Sequence, residues 1–212
     1  MISGIIMASG FSRRFNQNKL LINIKGIPLI ERVIQAANNS DLDEVIIIYR
    51  SPEIKKIADK YQIKSVFNTM AHAGQSAAVK LGVNTTKANS LGYLFMVGDQ
   101  PFITSDLINR VINEYKYSQA SIIIPTYGGK QGNPVLFSSK LKAQLMKVEG
   151  DKGGRSLFKD LQHEVKFLEV EDEKIGIDID TEKDYEEVKS EEVKSEELRM
   201  KSEEVKSEEC RM

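Results

Sequence analysis

Short runs of apolar residues alternate along this chain with longer segments in which apolar side chains recur every three or four positions. Ile2–Ala8 and Glu44–Tyr49 are nearly continuous apolar runs, typical of strands buried on both faces. Tyr93–Val97 is a third such run, ending at Gly98-Asp99. Later apolar segments predict four more strands: Ser121–Pro125, Pro134–Phe137, Val165–Val170 and Gly176–Ile179.

The intervening segments have helical spacing. Pro28–Asn38 places Leu29, Val33, Ile34 and Ala37 on one face, and Pro52–Tyr61 starts with a proline, which suits the first turn of a helix. The other predicted helices are Gln75–Gly82, Ser105–Tyr117 with Thr104 or Ser105 as its cap, Leu141–Val148 and Ser156–Gln162. This order predicts an α/β fold, with a doubly wound, mostly parallel sheet and helices on both faces.

Ligands of such sheets bind beyond the carboxyl ends of the strands, so the loops that follow strands should carry the reactive residues. The loop after the first strand, residues 8–19, has small residues at positions 8 to 10 and then Arg13, Arg14 and Lys19. Exposed backbone N–H groups together with three cations suit a triphosphate. The alternative is a surface turn with solvated basic side chains.

Carboxylates follow two of the predicted strands. Asp99 comes directly after a glycine at a strand end, where it could hold Mg²⁺ or serve only as a helix cap or turn residue. Asp178 and Asp180 lie two positions apart and would point the same way on a strand. Only one of them need bind a metal. Asp180 is the better candidate, although it could instead cap a helix that begins near Thr181.

The composition of the chain limits the classes of partner that we expect it to bind. The chain has 212 residues with 41% hydrophobic content and a net charge of −1, so bulk charge favours neither nucleic acid nor a membrane surface. We expect no membrane partner, because no apolar run is long enough for a bilayer and the first residues lack the basic flank of a signal peptide. The single cysteine, Cys210, cannot form an internal disulfide, which fits a reducing, cytoplasmic location.

The chain divides into a body, residues 1–185, and a repetitive tail, residues 186–212. The tail repeats Glu-Glu-Val-Lys-Ser, and Glu191–Ser202 starts again at Glu203 almost residue for residue. Its apolar residues recur about every five positions, which suits neither a helical stripe nor a strand. We expect a solvated helix or a disordered extension, the alternative being a helix that binds a partner.

The first loop contains four residues of the pattern Gly-x-Ser-x-Arg-Met-Gly-x-x-Lys: Gly10, Ser12, Arg14 and Lys19. On this pattern the chain resembles nucleotidyltransferases similar to molybdenum cofactor cytidylyltransferase, with Phe15 and Asn16 in place of Met-Gly. The resemblance continues in order through residues 2 to about 185. The further matching segments are Asn68 with 74–82, Gly98-Asp99-Gln100-Pro101, residues 132–137, residues 150–155, and Asp178-Ile179-Asp180-Thr181 with Asp184.

The resemblance implies a Rossmann-like fold of the GT-A type and a set of roles. It implies catalysis by Arg14, Lys19 and Asp99, and a metal on Asp99 with Asp180 or Asp178. The implied nucleotide-binding residues are Ala8, Ser9, Gly10, Ser12, Arg14, Lys19, Asn68, Gly74 and Ser76. The implied acceptor-binding residues are Gln100, Asn133, Pro134, Gly153, Gly154 and Arg155.

The reaction implied is transfer of CMP from CTP to molybdopterin with release of pyrophosphate, assisted by Mg²⁺ or Mn²⁺, before delivery to a molybdenum hydroxylase. GTP could replace CTP, and a sugar or polyol phosphate could replace molybdopterin, since one fold serves several such reactions. A second class is a non-catalytic nucleotide-binding chaperone for a molybdenum enzyme. A third is an adaptor acting through the tail.

Overall fold

The structure, a computed structural model, describes residues 1–12, 15 and 17–190. Predictions that concern Arg14 and the tail beyond residue 190 lie outside these residues. The strands are β1 Ile2–Ala8, β2 Asn23–Ile24, β3 Ile27–Pro28, β4 Glu44–Tyr49, β5 Lys64–Phe67, β6 Gly92–Val97, β7 Ile122–Tyr127, β8 Lys130–Gln131, β9 Val135–Ser138 and β10 Val165–Val170. The α-helices are α1 Leu29–Asn38, α2 Pro52–Lys60, α3 Gln75–Thr85, α4 Ser105–Tyr117 and α5 Lys142–Leu145. Residues 182–190 are also helical.

One eight-stranded sheet organises the described residues, in the order β10-β7-β9-β6-β1-β4-β5 with β8 paired to β7. The pairs β6–β1, β1–β4, β4–β5 and β7–β10 are parallel. Strand β9 runs antiparallel to both of its neighbours, β6 and β7. The predicted doubly wound, mostly parallel sheet is therefore confirmed.

Alternate residues of the central strands supply two hydrophobic cores, one on each face. Ile6, Ile47 and Leu94 face a layer formed by α1, α2 and α4. Ile5 and Phe95 face the other layer, formed by α3 and α5. Ile5, Ile6, Ile47 and Leu94 have no exposed surface, and burying each such side chain contributes roughly 1.5–3 kcal/mol. Both layers leave the carboxyl edge of the parallel strands uncovered.

Several predicted elements differ from the structure. Strand β5 was not predicted, because its four residues, only partly buried at the sheet edge, carry no continuous apolar run. The predicted strand Gly176–Ile179 is wrong: a 3-10 helix over Glu173–Gly176 leads into extended chain that, within the part of the chain the structure describes, pairs with no strand. The helix predicted over Ser156–Gln162 is also wrong. A 3-10 helix, Gly150–Leu157, occupies its start and is interrupted at Gly153, which has a φ of 51°.

A third cluster fixes the chain after the last strand. Val188 is 7% exposed and packs with Ile24, Leu29 and Ile179. The first tail residues, 186–190, are thus helical and lie against the body. The division between body and tail stays a prediction. None of the helices among the described residues is long and apolar enough to cross a bilayer.

A capping box starts helical residues 182–190. The Thr181 Oγ1 accepts a hydrogen bond from Asp184 N–H at 3.2 Å, and an Asp184 carboxylate oxygen accepts the N–H groups of Thr181 and Asp180 at 2.7 and 3.0 Å. Partial burial raises the pKa of Asp184, but these hydrogen bonds outweigh it, and the pKa lies below its ordinary value. The reciprocal bonds fix the chain around Asp180.

Replacing Asp184 with alanine is expected to lower the free energy of unfolding by about 1 kcal/mol at neutral pH, because two N–H groups lose their acceptor. The lowered pKa means that this contribution exists above the ordinary carboxyl pKa and is lost as the pH falls through the folded-state pKa. Urea unfolding at pH 7 and pH 3 measures both effects. Glu186→Ala, at an exposed position two residues on, is the control. Equal stability of the two variants at pH 7 would contradict the assignment.

Candidate active site

The first loop is folded by its own polar side chains. Ser12 has a φ of 50°, and its Oγ accepts a hydrogen bond from Lys19 N–H at 3.2 Å. Asn18 caps the short 3-10 helix Lys19–Leu21, its side-chain oxygen accepting the N–H of Leu20 at 3.2 Å. These bonds fix the backbone of Lys19 at the carboxyl edge of β1. Within the first-loop motif, Ser12 and Asn18 therefore position the backbone of Lys19.

The Lys19 ammonium lies between two carboxylates. Its Nζ is 2.6 Å from an oxygen of Asp99 and 2.7 Å from an oxygen of Asp180. The side chains of Lys19, Asp99 and Asp180 are 15%, 20% and 52% exposed. Burial alone lowers the pKa of Lys19, but the two carboxylates outweigh it, so the pKa is raised above its ordinary value. The lysine is therefore fully charged at neutral pH.

Backbone contacts bring the two carboxylates together. Asp99 follows Gly98, whose N–H donates to Met7 O at 3.2 Å and so continues the pairing of β6 with β1. The N–H of Ile179 donates to Asp99 O at 3.1 Å. This bond holds the extended segment 177–180 alongside Asp99 although it forms no strand. Asp180 thus reaches the edge of β6 from a part of the chain that is distant in sequence.

Asp178 is a neighbour of the pair whose side chain keeps exposed surface at the cleft. Desolvation by the surrounding cleft raises its pKa to about 6, and the charges of Asp99 and Asp180 act in the same direction, while Gln100 and Arg155 oppose the shift. The Gln100 side chain is 2% exposed and also donates to Gly176 O at 3.4 Å. Gln100 therefore supports the closing segment and Asp178. Its predicted contact with an acceptor stays a prediction.

Beside Lys19 lies a cavity of about 350 Å³, which we call the nucleotide half of the cleft. The first loop, the turn before α3 and the end of β6 form its walls. The lining residues are Met7, Ser9, Gly10, Phe11, Ser12, Lys19, Leu20, Ala71, His72, Gly74, Gln75, Ala78, Val97, Gly98, Asp99 and Asp151. Five of the predicted nucleotide-binding residues are in this wall: Ser9, Gly10, Ser12, Lys19 and Gly74.

The remaining described residues of the predicted nucleotide set lie behind this wall. Asn68 is 3% exposed; its Nδ2 donates to Ser9 Oγ at 2.9 Å, and its Oδ1 accepts the N–H of Met70 at 3.1 Å. Ser76 is buried and donates to Ala73 O at 3.3 Å, while Ala8 is 2% exposed. Asn68 thus orients the Ser9 hydroxyl, whose own hydrogen remains available to a ligand.

A second cavity, of about 210 Å³, lies on the other side of Asp99, and we call it the acceptor half. Its lining combines aromatic rings with charged groups: Met7, Gln75, Val79, Phe95, Val97, Asp99, Asn133, Val135, Phe137, Lys152, Gly154, Arg155, Phe158, Asp178 and Asp180. The rings of Phe137 and Phe158 are stacked, with centroids 6.0 Å apart, and Phe95 meets Phe137 edge-on at 5.8 Å. This part of the wall is therefore apolar and aromatic, and it lies next to two cations, Lys152 and Arg155.

Three predicted acceptor residues line this half, namely Asn133, Gly154 and Arg155. Gly154 leaves room for the Phe137 ring, since an added Cβ would lie 2.7 Å from it. Pro134 and Gly153 are buried nearby and support the wall. Asp178 and Asp180 line the same cavity, although they do not lie on a strand, and their predicted role in metal binding stays a prediction.

The two halves meet along four shared residues, Met7, Gln75, Val97 and Asp99. Sequence reasoning assigned a role to Asp99 alone of these four. Met7 and Val97 stand near the carboxyl ends of β1 and β6, so the rule that located Asp99 could have located them too. The aromatic wall and Lys152 were also missed, because no local pattern distinguishes a cleft phenylalanine from a core one.

The carboxylates of Asp99 and Asp180 suit a divalent cation. Asp99 and Asp180 each direct an oxygen at the same ammonium, so their oxygens can face one cation. No group of three or more His, Cys, Asp or Glu side chains within residues 1–12, 15 and 17–190 is arranged to hold a metal. Two carboxylates, with the other positions filled by phosphate and water, form the donor set that Mg²⁺ commonly uses. The residues present therefore fit such an ion.

A mostly parallel sheet with a two-part cleft at its carboxyl edge, and a lysine between carboxylates at the division, suits transfer of a nucleotidyl group between two bound substrates. Residues 4–165 match the MobA-like NTP transferase domain, and the chain belongs to that family.

Two curated relatives illustrate the similarity. A probable molybdenum cofactor guanylyltransferase of Natranaerobius thermophilus is 33% identical over 129 residues, or 60% of this chain and 62% of that protein. The purine catabolism protein PucB of Bacillus subtilis is 28% identical over 204 residues, or 88% of this chain and 95% of that protein. The chain is thus similar to the first over less than two thirds of that protein's length and to the second over nearly all of it.

Solved structures share the fold. A nucleotidyl transferase from Methanothermobacter thermautotroptrophicus superposes with a TM-score of 0.79 at 19% identity, covering 92% of this chain and 99% of that one. The Rv0371C complex with manganese from Mycobacterium tuberculosis H37Rv has a TM-score of 0.75 at 22% identity, covering 89% and 98%. At these identities the likeness concerns the fold alone.

Replacing Gly10 with alanine tests whether the first loop approaches a ligand closely. An added Cβ would meet no atom of the described residues within 4 Å, so the unfolding free energy should not change. In the nucleotide half, however, the methyl group would obstruct a phosphate against the backbone. We expect the KM for the nucleotide to rise at least about tenfold, equivalent to about 1.4 kcal/mol, with the acceptor KM unchanged. Steady-state kinetics and thermal unfolding measure these values, and an unchanged nucleotide KM would contradict the contact.

Proposed function

We propose that this protein is a magnesium-dependent enzyme that transfers CMP from CTP to the phosphate of molybdopterin. An oxygen of the acceptor phosphate attacks the α-phosphorus, the bond from that phosphorus to the β-phosphate oxygen breaks, and pyrophosphate leaves. Both reactants are anions, so a catalyst must reduce their repulsion and hold them in line. Each requirement has a counterpart in the cleft.

The observation that carries the proposal is the division of the cleft at Asp99. A carboxylate shared by two cavities of different chemistry stands where a donor in one cavity would meet an acceptor in the other. Lys19, 2.6 Å from that carboxylate, supplies a cation at the same boundary. An in-line transfer needs its charge stabilisation at this boundary, because the α-phosphate lies between the two reactants.

The nucleotide half suits a nucleoside triphosphate. Ser9 and Gly10 present a small-residue wall, and Lys19 provides positive charge beside it. The Ser9 hydroxyl, held by Asn68, is oriented as a donor for an acceptor atom of the base or ribose. The predicted contribution of Arg14 to the triphosphate belongs to the same half and stays a prediction.

The acceptor half suits a flat, anionic ligand. Phe137 is buried in the wall and Phe158, stacked on it, is partly exposed, so this apolar wall can pack against a planar heterocycle such as a pterin. Arg155 and Lys152 supply cations for its phosphate, and the Arg155 fork is suited to bidentate contact. A sugar or polyol phosphate would need hydroxyl partners and would leave this aromatic surface unused, so the lining favours the heterocycle.

Asp99 and Asp180 are the residues that would hold the magnesium ion. When bound, a divalent ion supplies Lewis-acid stabilisation of phosphate charge. No general base is required, because a phosphate acceptor is already ionised near neutral pH. The convergence of Lys19, Asp99 and Asp180 on one point favours an active enzyme over the alternative of a nucleotide-binding chaperone.

GTP is the second candidate donor. The relative from Natranaerobius thermophilus that is 33% identical over 129 residues is named a probable guanylyltransferase, which supports guanine as the base. The resemblance of the first loop to cytidylyltransferases supports cytosine. The two candidates share every residue role given above and differ only in which base occupies the nucleotide half.

A competition assay tests both candidate donor nucleotides, CTP and GTP. Purified protein with Mg²⁺, metal-loaded molybdopterin and equal CTP, GTP, ATP and UTP should yield the cytosine dinucleotide, identified by mass, together with pyrophosphate. A guanine dinucleotide would retain the reaction and overturn the choice of CTP. No dinucleotide from folded protein would overturn the proposed transfer to molybdopterin.

A further inference from the structure

We propose that the Lys19 ammonium acts as the resident cation of the metal position. In the protein without nucleotide it would neutralise Asp99 and Asp180, and the divalent ion would enter only as an arriving triphosphate draws the ammonium away. The inference rests on the proposed metal-dependent transfer and adds an order of events to it. Lys19 would then keep the carboxylates in place and keep free metal out until the donor nucleotide is bound.

The geometry is that of one cation bound by two ligands. The Nζ of Lys19 is 2.6 Å from Asp99 Oδ2 and 2.7 Å from Asp180 Oδ1, so each carboxylate contacts the same ammonium through one oxygen. Mg²⁺ binds oxygens at about 2.0–2.1 Å, closer than an ammonium does. Two cations cannot share these oxygens without strong mutual repulsion. A metal bound by these same two oxygens therefore requires the lysine side chain to leave.

The backbone of Lys19 is held in place, whereas its side chain can change conformation. Its backbone N–H is held by the Ser12 hydroxyl, and it opens the short 3-10 helix that Asn18 caps. Beyond the Cα, a lysine has four flexible methylenes and a point charge that accepts many directions of approach. The backbone position is thus fixed while the ammonium can change partners.

A new partner for the ammonium would lie in the adjoining cavity. Lys19 lines the nucleotide half, whereas Asp180 lines the acceptor half, so the salt bridge crosses the boundary between them. A triphosphate in the nucleotide half would offer the ammonium several anionic oxygens. The exchange preserves charge balance, because the carboxylates gain a divalent ion as the lysine gains phosphate.

Mn²⁺ binding measured without turnover tests the inference. The free aquo-Mn²⁺ signal in electron paramagnetic resonance gives the Kd for nucleotide-free protein. We expect weak binding by the wild type and at least tenfold tighter binding by Lys19→Met, which keeps an unbranched side chain, one atom shorter, and removes its charge. Lys87→Met is the matched control. Lys87 is exposed, lines neither half of the cleft, and should leave the Mn²⁺ Kd near the wild-type value.

A second measurement uses only the wild type. Inorganic triphosphate, corrected for its own Mn²⁺ binding, should tighten Mn²⁺ binding to the wild type at least tenfold and have a much smaller effect on Lys19→Met. Wild-type Kd values that are already tight and unaffected by triphosphate would overturn the inference, whether or not Lys19→Met folds. Equal Mn²⁺ affinity of folded Lys19→Met and the wild type would overturn it as well. Neither result depends on product formation. A failure of the proposed reaction in the competition assay can therefore be distinguished from a failure of the inference about Lys19.

Discussion

Replacing Asp99 with alanine is expected to lower turnover at least about a thousandfold while the fold survives. Asp99 is the charged residue shared by both halves of the cleft, and its loss removes one of two carboxylates able to hold a divalent ion. Lewis-acid stabilisation is worth several kcal/mol, and each loss of about 1.4 kcal/mol is tenfold in rate. Dinucleotide formation at saturating substrates, followed by mass, measures the loss.

The control for this variant is Asp41→Ala, an exposed aspartate just before β4, at the amino edge of the parallel strands and so opposite the edge that carries the cleft. It should have wild-type turnover. Thermal unfolding should show that both variants are folded, since the Asp99 side chain is 20% exposed and supports no hydrophobic core. Turnover of Asp99→Ala above a tenth of the wild-type value would contradict both the catalytic role of Asp99 and the assignment of the metal to this carboxylate.

Replacing Lys19 with alanine is expected to lower kcat at least about a hundredfold. Loss of one preorganised contact to developing negative charge commonly costs roughly 2.7–4 kcal/mol in the barrier. The effect should fall mainly on kcat, because the triphosphate retains its backbone and loop contacts in the ground state. Steady-state kinetics with the donor and acceptor varied separately would show this division.

Two variants make the Lys19 result interpretable. Lys87→Ala removes an exposed lysine outside the cleft and should leave kcat unchanged. Lys19→Arg keeps the charge but replaces a compact ammonium with a planar fork, so it should recover only part of the lost kcat. Near-normal kcat in a folded Lys19→Ala variant would contradict a catalytic role for this residue.

The sequence by itself determined the central strands, the helices between them and the loops that carry the chemistry. Strands such as β1 and β6 are identifiable because burial on both faces requires a continuous apolar run, a signal that lies within a few residues. The first loop and Asp99 followed, because parallel strands deliver their carboxyl ends to one edge. Residues of the site that belong to such local patterns could therefore be named in advance.

Only the tertiary structure decided which distant residues meet. Lys19 and Asp180 are 161 positions apart, and their contact depends on segment 177–180, which lies beside Asp99 through one backbone hydrogen bond instead of forming the predicted strand. The antiparallel insertion of β9 between β6 and β7 likewise sets Phe137 in the acceptor wall. Such contacts arise from packing between elements, whose energies depend on the partner in space and leave no periodic signal in the chain.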